Sequence, residues 1–186
     1  MNSVEPIRDK KKIEAMKKIL YAQSIRDYVL FVLGINSGIR ISDLLMLRDT
    51  DVKNTNGKLK ERIEIKEKKT GKAKNYPIND NAKKALHEYL GIDVPTGRFL
   101  FESRKGNQPI TRVQAYRVLN DAAELVGIPK IGTHSLRKTF GYFAYKAGYS
   151  LTLLQQLFNH SSEKDTLRYI GITQDNIDEV YININL

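Results

Sequence analysis

Six residues of this chain have the types needed to break and remake a phosphodiester without a metal: Arg40, Lys69, His134, Arg137, His160 and Tyr169. A tyrosine hydroxyl has a reference pKa near ~10, so attack on phosphorus needs a base for its proton and cations to neutralise the phosphate. Arginines supply fixed donors to the non-bridging oxygens, where charge builds in the transition state. A lysine or histidine can then protonate the leaving oxygen. A two-metal nuclease would instead need converging carboxylates, and Asp43, Asp49 and Asp51 fall in a segment that reads as a helix end and a turn. Metal chemistry is the poorer account.

Each segment has a plainer reading beside the chemical one. GIRISDL sets Arg40 after a glycine break at a helix start, where the dipole favours anions; its guanidinium gains from a phosphate held by its fork, or pairs at the surface with Asp43. KEKKTGKAK gathers Lys66, Lys68, Lys69, Lys72 and Lys74, whose ammonium groups repel unless solvated or opposed by a DNA backbone. One lysine at the tip can also serve as proton donor; Lys68 and Lys72 stand close to Lys69, so spacing alone leaves the choice open. THSLRKTF puts His134 and Arg137 on one helix face, as a converging pair or as a capping histidine beside a surface arginine. NHSSEKDTLRYIGI places Tyr169 nine positions after His160 (169 minus 160). Tyr142, Tyr145 and Tyr149 lie on an apolar helical run and its end, where packing is the better reading, and Tyr181 lies 21 residues beyond His160.

The elements that must position these groups follow from periodicity. Ile13, Met16, Ile19 and Leu20 recur at helical spacing behind Lys10 to Lys12, and SIRDYVLFVLGINSG reads as a helix from Ser24 to near Gly38. ISDLLMLRDTDV starts another, with Ser42 and Asp43 placed to cap or support its first turn. RIEIKEKKTGKAKNYPI alternates with period two around a polar turn and predicts a hairpin. NDNAKKALHEYLG predicts a helix capped by Asn79 or Asp80 and ended by Gly91, and GRFLFES is a short run of strand type. A helix introduced by Pro109 and Thr111 ends at Gly127 and Pro129; HSLRKTFGYFAYKAG, SLTLLQQLFNH and SEKDTLRYI are three more. The expected fold is mainly α with a small antiparallel β-sheet (α+β), in one domain over 1–186.

Composition sets the class of partner. With 31 Lys and Arg against 21 Asp and Glu, the net charge of +10 favours a polyanion, nucleic acid before a membrane surface. No cysteine is present, which removes disulfides and thiolate chemistry. MNSVEPIRDKKKIEAMKK lacks the apolar core of a secretory signal, and no run approaches the ~20 apolar residues of a membrane span. A reducing cytoplasm fits best.

At this point the chain resembles the catalytic domain of the tyrosine recombinases, the phage integrase family. GIRISDLLML is similar to the family's first-arginine box, HSLRKTF to its His-x-x-Arg box, FNHSS to its second histidine and TLRYIGI to its nucleophile box, in the family's order, over roughly 24–172. The resemblance implies that Tyr169 attacks a DNA phosphate to form a 3′-phosphotyrosyl link. It also implies that Arg40, Arg137 and His160 bind the non-bridging oxygens, that His134 assists proton transfer, and that Lys69 protonates the leaving oxygen. No metal or nucleotide cofactor is implied, and the partner is double-stranded DNA, bound by a homo-tetramer whose subunits are monomers or weak oligomers in solution. Only 39 residues precede Arg40, so the family's core-binding domain is expected to be absent, as in short fimbrial-type invertases or a cut-down piece. Ile177, Val180 and Ile182 make the 173–186 tail a candidate for docking on a neighbouring subunit or packing within its own chain. The rival functions are a DNA binder without catalysis, a type IB topoisomerase-like enzyme and a basic RNA-binding module.

Overall fold

In the computed structural model, residues 4–69, 71–129, 131–132, 134–172 and 182 are described. The helix at its centre, α2 (Ile25–Ser37), is apolar almost all round, with Val29, Leu30, Phe31, Val32 and Leu33 buried, and such a helix needs partners on several sides. Ser24 caps its start by accepting from the Asp27 N–H, and Gly38 ends it in the left-handed conformation at φ 64°. Against it pack α1 (Lys10–Gln23), which buries Ile13, Met16 and Leu20, and α5 (Asp80–Leu90), capped by Asn79. On a further side lies α7 (Ser135–Lys146), while α6 (Arg112–Leu125) enters through a reciprocal Thr111 and Gln114 cap and packs on α1 and α2.

Among the described residues the sheet is a single antiparallel pair, β1 (Arg62–Lys66) and β2 (Ala73–Pro77), in a register that sets Ile63 opposite Tyr76 and Lys66 opposite Ala73. Ile63 and Tyr76 turn inward to the core beneath α2 and α5; the alternate residues face solvent. The last described helices, α8 (Leu151–Phe158) and α9 (Glu163–Tyr169), form a smaller cluster with α7 around Leu154, Phe158, Ile170 and Ile172. Gly141 makes this close approach possible: a Cβ there would come within 2.6 Å of Phe158 and 2.7 Å of Ile170. The architecture is mainly helical with a small antiparallel sheet, as expected.

Three local expectations are corrected. ISDLLMLRDTDV is not one helix but two single turns, α3 (Ile41–Leu44) and α4 (Asp49–Val52), because Leu47 and Arg48 straighten to meet the segment at Phe99. Its first turn has no side-chain cap; Asp43 accepts instead from the Lys68 N–H at 3.1 Å. GRFLFES forms no ladder, only isolated bridges from Phe99 to Arg48 and from Glu102 to Pro109, since Leu100 and Phe101 fill the core without a neighbouring strand to extend. Tyr149, expected to pack, is 58% exposed beyond the end of α7. Ile177 and Val180 lie outside the described residues, and Ile182 is exposed.

Candidate active site

Arg40 stands at the N-cap of α3, directly after the Gly38 turn, and only 14% of its side chain is exposed. Its Nη1 lies 2.5 Å from Glu67 Oε1 in a buried ion pair. Burial would lower the Arg40 pKa, but Glu67 outweighs it and holds the guanidinium above its ordinary value. Glu67 itself is buried and accepts from the Tyr76 hydroxyl at 2.8 Å. Burial, then that carboxylate, pushes the Tyr76 phenol up to about 12. The surface pairing of Arg40 with Asp43 is therefore replaced by a deeper pair, because the hairpin turns Glu67 inward.

Arg137, on the first turns of α7, is 3% exposed. Its Nη1 donates to the Gly38 carbonyl and its Nη2 reaches the Phe158 carbonyl at 3.5 Å, while its guanidinium lies over the Phe158 ring. One side chain thus ties the ends of α2 and α8 together. Burial lowers its pKa, with Arg40 acting in the same direction, so the two cations repel and an anion between them would relieve both.

The left-handed Asn159 ends α8 and turns the chain so that His160 projects back over Phe158. His160 Nδ1 faces Thr166 Oγ1 at 3.1 Å, and its ring meets that of Tyr169 edge-on at 4.9 Å. Burial and then Arg137 lower the His160 pKa, so the ring is biased towards its neutral form. Tyr169, the last residue of α9, is half-buried against Phe158 and has the Lys138 ammonium 5.3 Å from its ring centre. Burial raises its pKa, opposed by Arg137 and Arg40. A neutral tyrosine thus sits where both arginines favour its anion.

His134 and Lys69 lie further out. His134 occupies the N-cap of α7 and is exposed; desolvation lowers its pKa, reinforced by Arg112, Lys138, Arg137 and Lys69. Lys69 is exposed on the hairpin turn, and its charge is felt at both histidines. Lys66 and Lys68 are exposed, and Lys72 reaches Asn159 Oδ1 at 3.3 Å. Lys74 departs from the expected solvated cluster. It lies within β2, half-buried, and donates to the Leu157 carbonyl at 2.9 Å, because strand alternation aims it at the end of α8. The three aspartates do not converge: Asp43 serves Lys68, Asp49 accepts from the Thr96 and Gly97 N–H groups, and Asp51 from that of Arg48.

Sequence reading missed Glu67, Tyr76 and Lys138. A glutamate among lysines reads as surface charge, and only its place beyond the inward Ile63 and Ile65 could have hinted at burial.

The phage integrase family model matches residues 8–175. The chain is 42% identical over 181 residues to the probable integrase/recombinase YoeC of Bacillus subtilis strain 168, covering 97% of both. It is 30% identical to the tyrosine recombinase XerC of Staphylococcus saprophyticus, covering 87% of this chain and 54% of that one. The XerH site-specific recombinase, solved bound to a palindromic difH substrate as a post-cleavage complex, superposes with a TM-score of 0.71 at 19% identity, over 97% of this chain and 53% of that one. The chain therefore spans nearly all of YoeC and about half of XerC and XerH.

Proposed function

The chain belongs to the phage integrase family, with the catalytic domain of a tyrosine recombinase, and from this premise we propose that it cleaves and rejoins DNA strands through a 3′-phosphotyrosyl intermediate on Tyr169. The observation that carries this reading is the meeting of Tyr169 with His160 at 4.9 Å beneath the charges of Arg137 and Arg40.

In the proposed reaction, Arg40, Arg137 and His160 hold the non-bridging oxygens of the scissile phosphate. The Tyr169 oxygen attacks phosphorus as its proton leaves, with His134 assisting the transfer, and the bond from phosphorus to the 5′ oxygen breaks. Lys69 protonates that oxygen, giving a free 5′-hydroxyl. Reversal by a 5′-hydroxyl from another strand reseals the DNA; the phosphotyrosyl bond replaces one phosphodiester with another ester, so no nucleotide is consumed. Before DNA arrives, Glu67 provides Arg40 with a countercharge.

Lys66, Lys68 and Lys72 are proposed to contact the DNA backbone, with Lys74 holding the hairpin against α8. A homo-tetramer on DNA is proposed as the working assembly. The 173–186 tail is proposed to dock on a neighbouring subunit, a reading supported by an apolar groove lined by Ile35, Phe140, Phe143, Tyr149, Leu153 and Leu157. Among the described residues no helix is long and apolar enough to cross a membrane, and the cytoplasm is the proposed setting.

The test is covalent trapping on nicked suicide duplexes from the ends of the protein's own genomic element. A gel-shifted adduct from the wild type that is absent with Tyr169→Phe supports the reading. Salt-sensitive binding with no adduct from either protein points to a DNA binder without catalysis.

A further inference from the structure

The residues ahead of α1 touch all three segments that carry the His134, Arg137 and Tyr169 side chains, in each case two residues from the functional one. Val4 fills the space beside Gly132, where a Cβ would come within 2.8 Å of it. The Ile7 N–H donates to Thr139 Oγ1 at 2.8 Å in a buried contact, and Thr139 in turn donates to the Ser135 carbonyl. Arg8 Nη2 donates to the Gly171 carbonyl at 2.6 Å, with its guanidinium near the Tyr142 ring and Glu5 beside it at 3.0 Å. Gly171 takes φ 77°, and a Cβ there would come within 2.9 Å of Arg8 and Pro6 and 2.8 Å of Glu5. Glu5 also acts electrostatically on Lys138, the buried ammonium that faces the Tyr169 ring.

These contacts have a common geometry. Helix α9 is only seven residues long and ends on Tyr169, so its own hydrogen bonds fix the tyrosine weakly along the approach to phosphorus. Beyond it Ile170 packs into the cluster of α7 and α8, and the next residue, Gly171, has its carbonyl held by Arg8 from a segment 163 residues away in sequence. We propose that residues 4–8 form a strap that positions the nucleophile, with Arg8 acting on Tyr169 through the Gly171 carbonyl. This rests on the reading of Tyr169 as the nucleophile; Arg8 is a positioning residue and does not meet the phosphate.

Arg8→Ala and Arg8→Lys separate positioning from folding. On nicked duplexes, Arg8→Ala is expected to form adduct on the order of tenfold more slowly at saturating DNA, with the half-saturating DNA concentration unchanged. Arg8→Lys, which can still donate to the carbonyl, recovers most of the rate. Amide hydrogen exchange in 163–172 speeds up in Arg8→Ala while α1 and α2 keep wild-type protection. Unchanged adduct formation by Arg8→Ala overturns the proposal, as does a loss of rate that Arg8→Lys fails to restore and that accompanies faster exchange throughout the molecule. If the wild type forms no adduct, the reading of Tyr169 fails, and exchange alone then decides the strap: acceleration confined to 163–172 sustains it and wild-type exchange there removes it.

Discussion

The ring of His160 meets that of Tyr169 edge-on at 69°, and Phe158 lies against both. The histidine is thereby held by an aromatic floor and by Thr166 Oγ1, and the tyrosine hydroxyl is left to the arginines. In the proposed reaction, a tyrosine with a raised pKa beside cations that favour its anion stays uncharged until a phosphate and a proton acceptor arrive together.

Folding stability carries the signature of the two histidines. Both have folded-state pKa values below the usual 6.5, so between those values and 6.5 the unfolded chain binds more protons than the folded one. Their contribution is present above about pH 6.5 and is lost as pH falls through the folded values. The Tm is expected to be flat from about pH 8 to 7 and to fall towards pH 5. His160→Gln should flatten that fall in a series of thermal melts.

Glu67→Gln removes the carboxylate shared by Arg40 and Tyr76. The amide can still accept from the Tyr76 hydroxyl, but a poorly solvated guanidinium loses its countercharge. A loss on the order of 3 kcal/mol is expected. Denaturant melts read this directly. In ultraviolet titration the Tyr76 phenol, now at about 12, should ionise at lower pH once the adjacent negative charge is gone.

Gly141→Ala tests the seat of the helix that carries Tyr169. A methyl group at this buried site would come within 2.7 Å of Phe158 and Ile170, and both are fully packed. Overpacking of this kind costs about 1–3 kcal/mol. Because Ile170 follows Tyr169, adduct formation should fall further than DNA binding does, as seen by running both assays on the same preparation.

The lysines divide by salt dependence. Lys66→Ala and Lys68→Ala should each flatten the slope of log affinity against log salt by about 0.9 for every phosphate left without its cation. Lys74→Ala should leave that slope unchanged and lower the Tm, because its Nζ is spent on the Leu157 carbonyl. Filter binding at four salt concentrations distinguishes the two kinds.

Much of this was legible in the sequence because local rules suffice for helix ends. Ser24 and Gly38 bound α2, Asn79 and Gly91 bound α5, and Thr111 starts α6. Local rules failed where a distant partner decides the backbone. GRFLFES has a strand's pattern but no strand to join, and ISDLLMLRDTDV is broken where it meets that same segment. The site residues could be proposed from their types and order, yet Glu67 and the Arg8 strap were invisible. Their roles depend on contacts made with Arg40 and Gly171 after the chain has closed.

The bond from Arg137 to the Gly38 carbonyl spans 99 residues, and Arg40 and Tyr169 lie 129 apart (169 minus 40). Contacts of such sequence separation carry the entropic cost of closing long loops. A chain still emerging from the ribosome, or one partly unfolded, would have Tyr169 on one stretch and Arg40 on another. The arrangement on which the proposed strand cleavage depends would then arise only with completed folding.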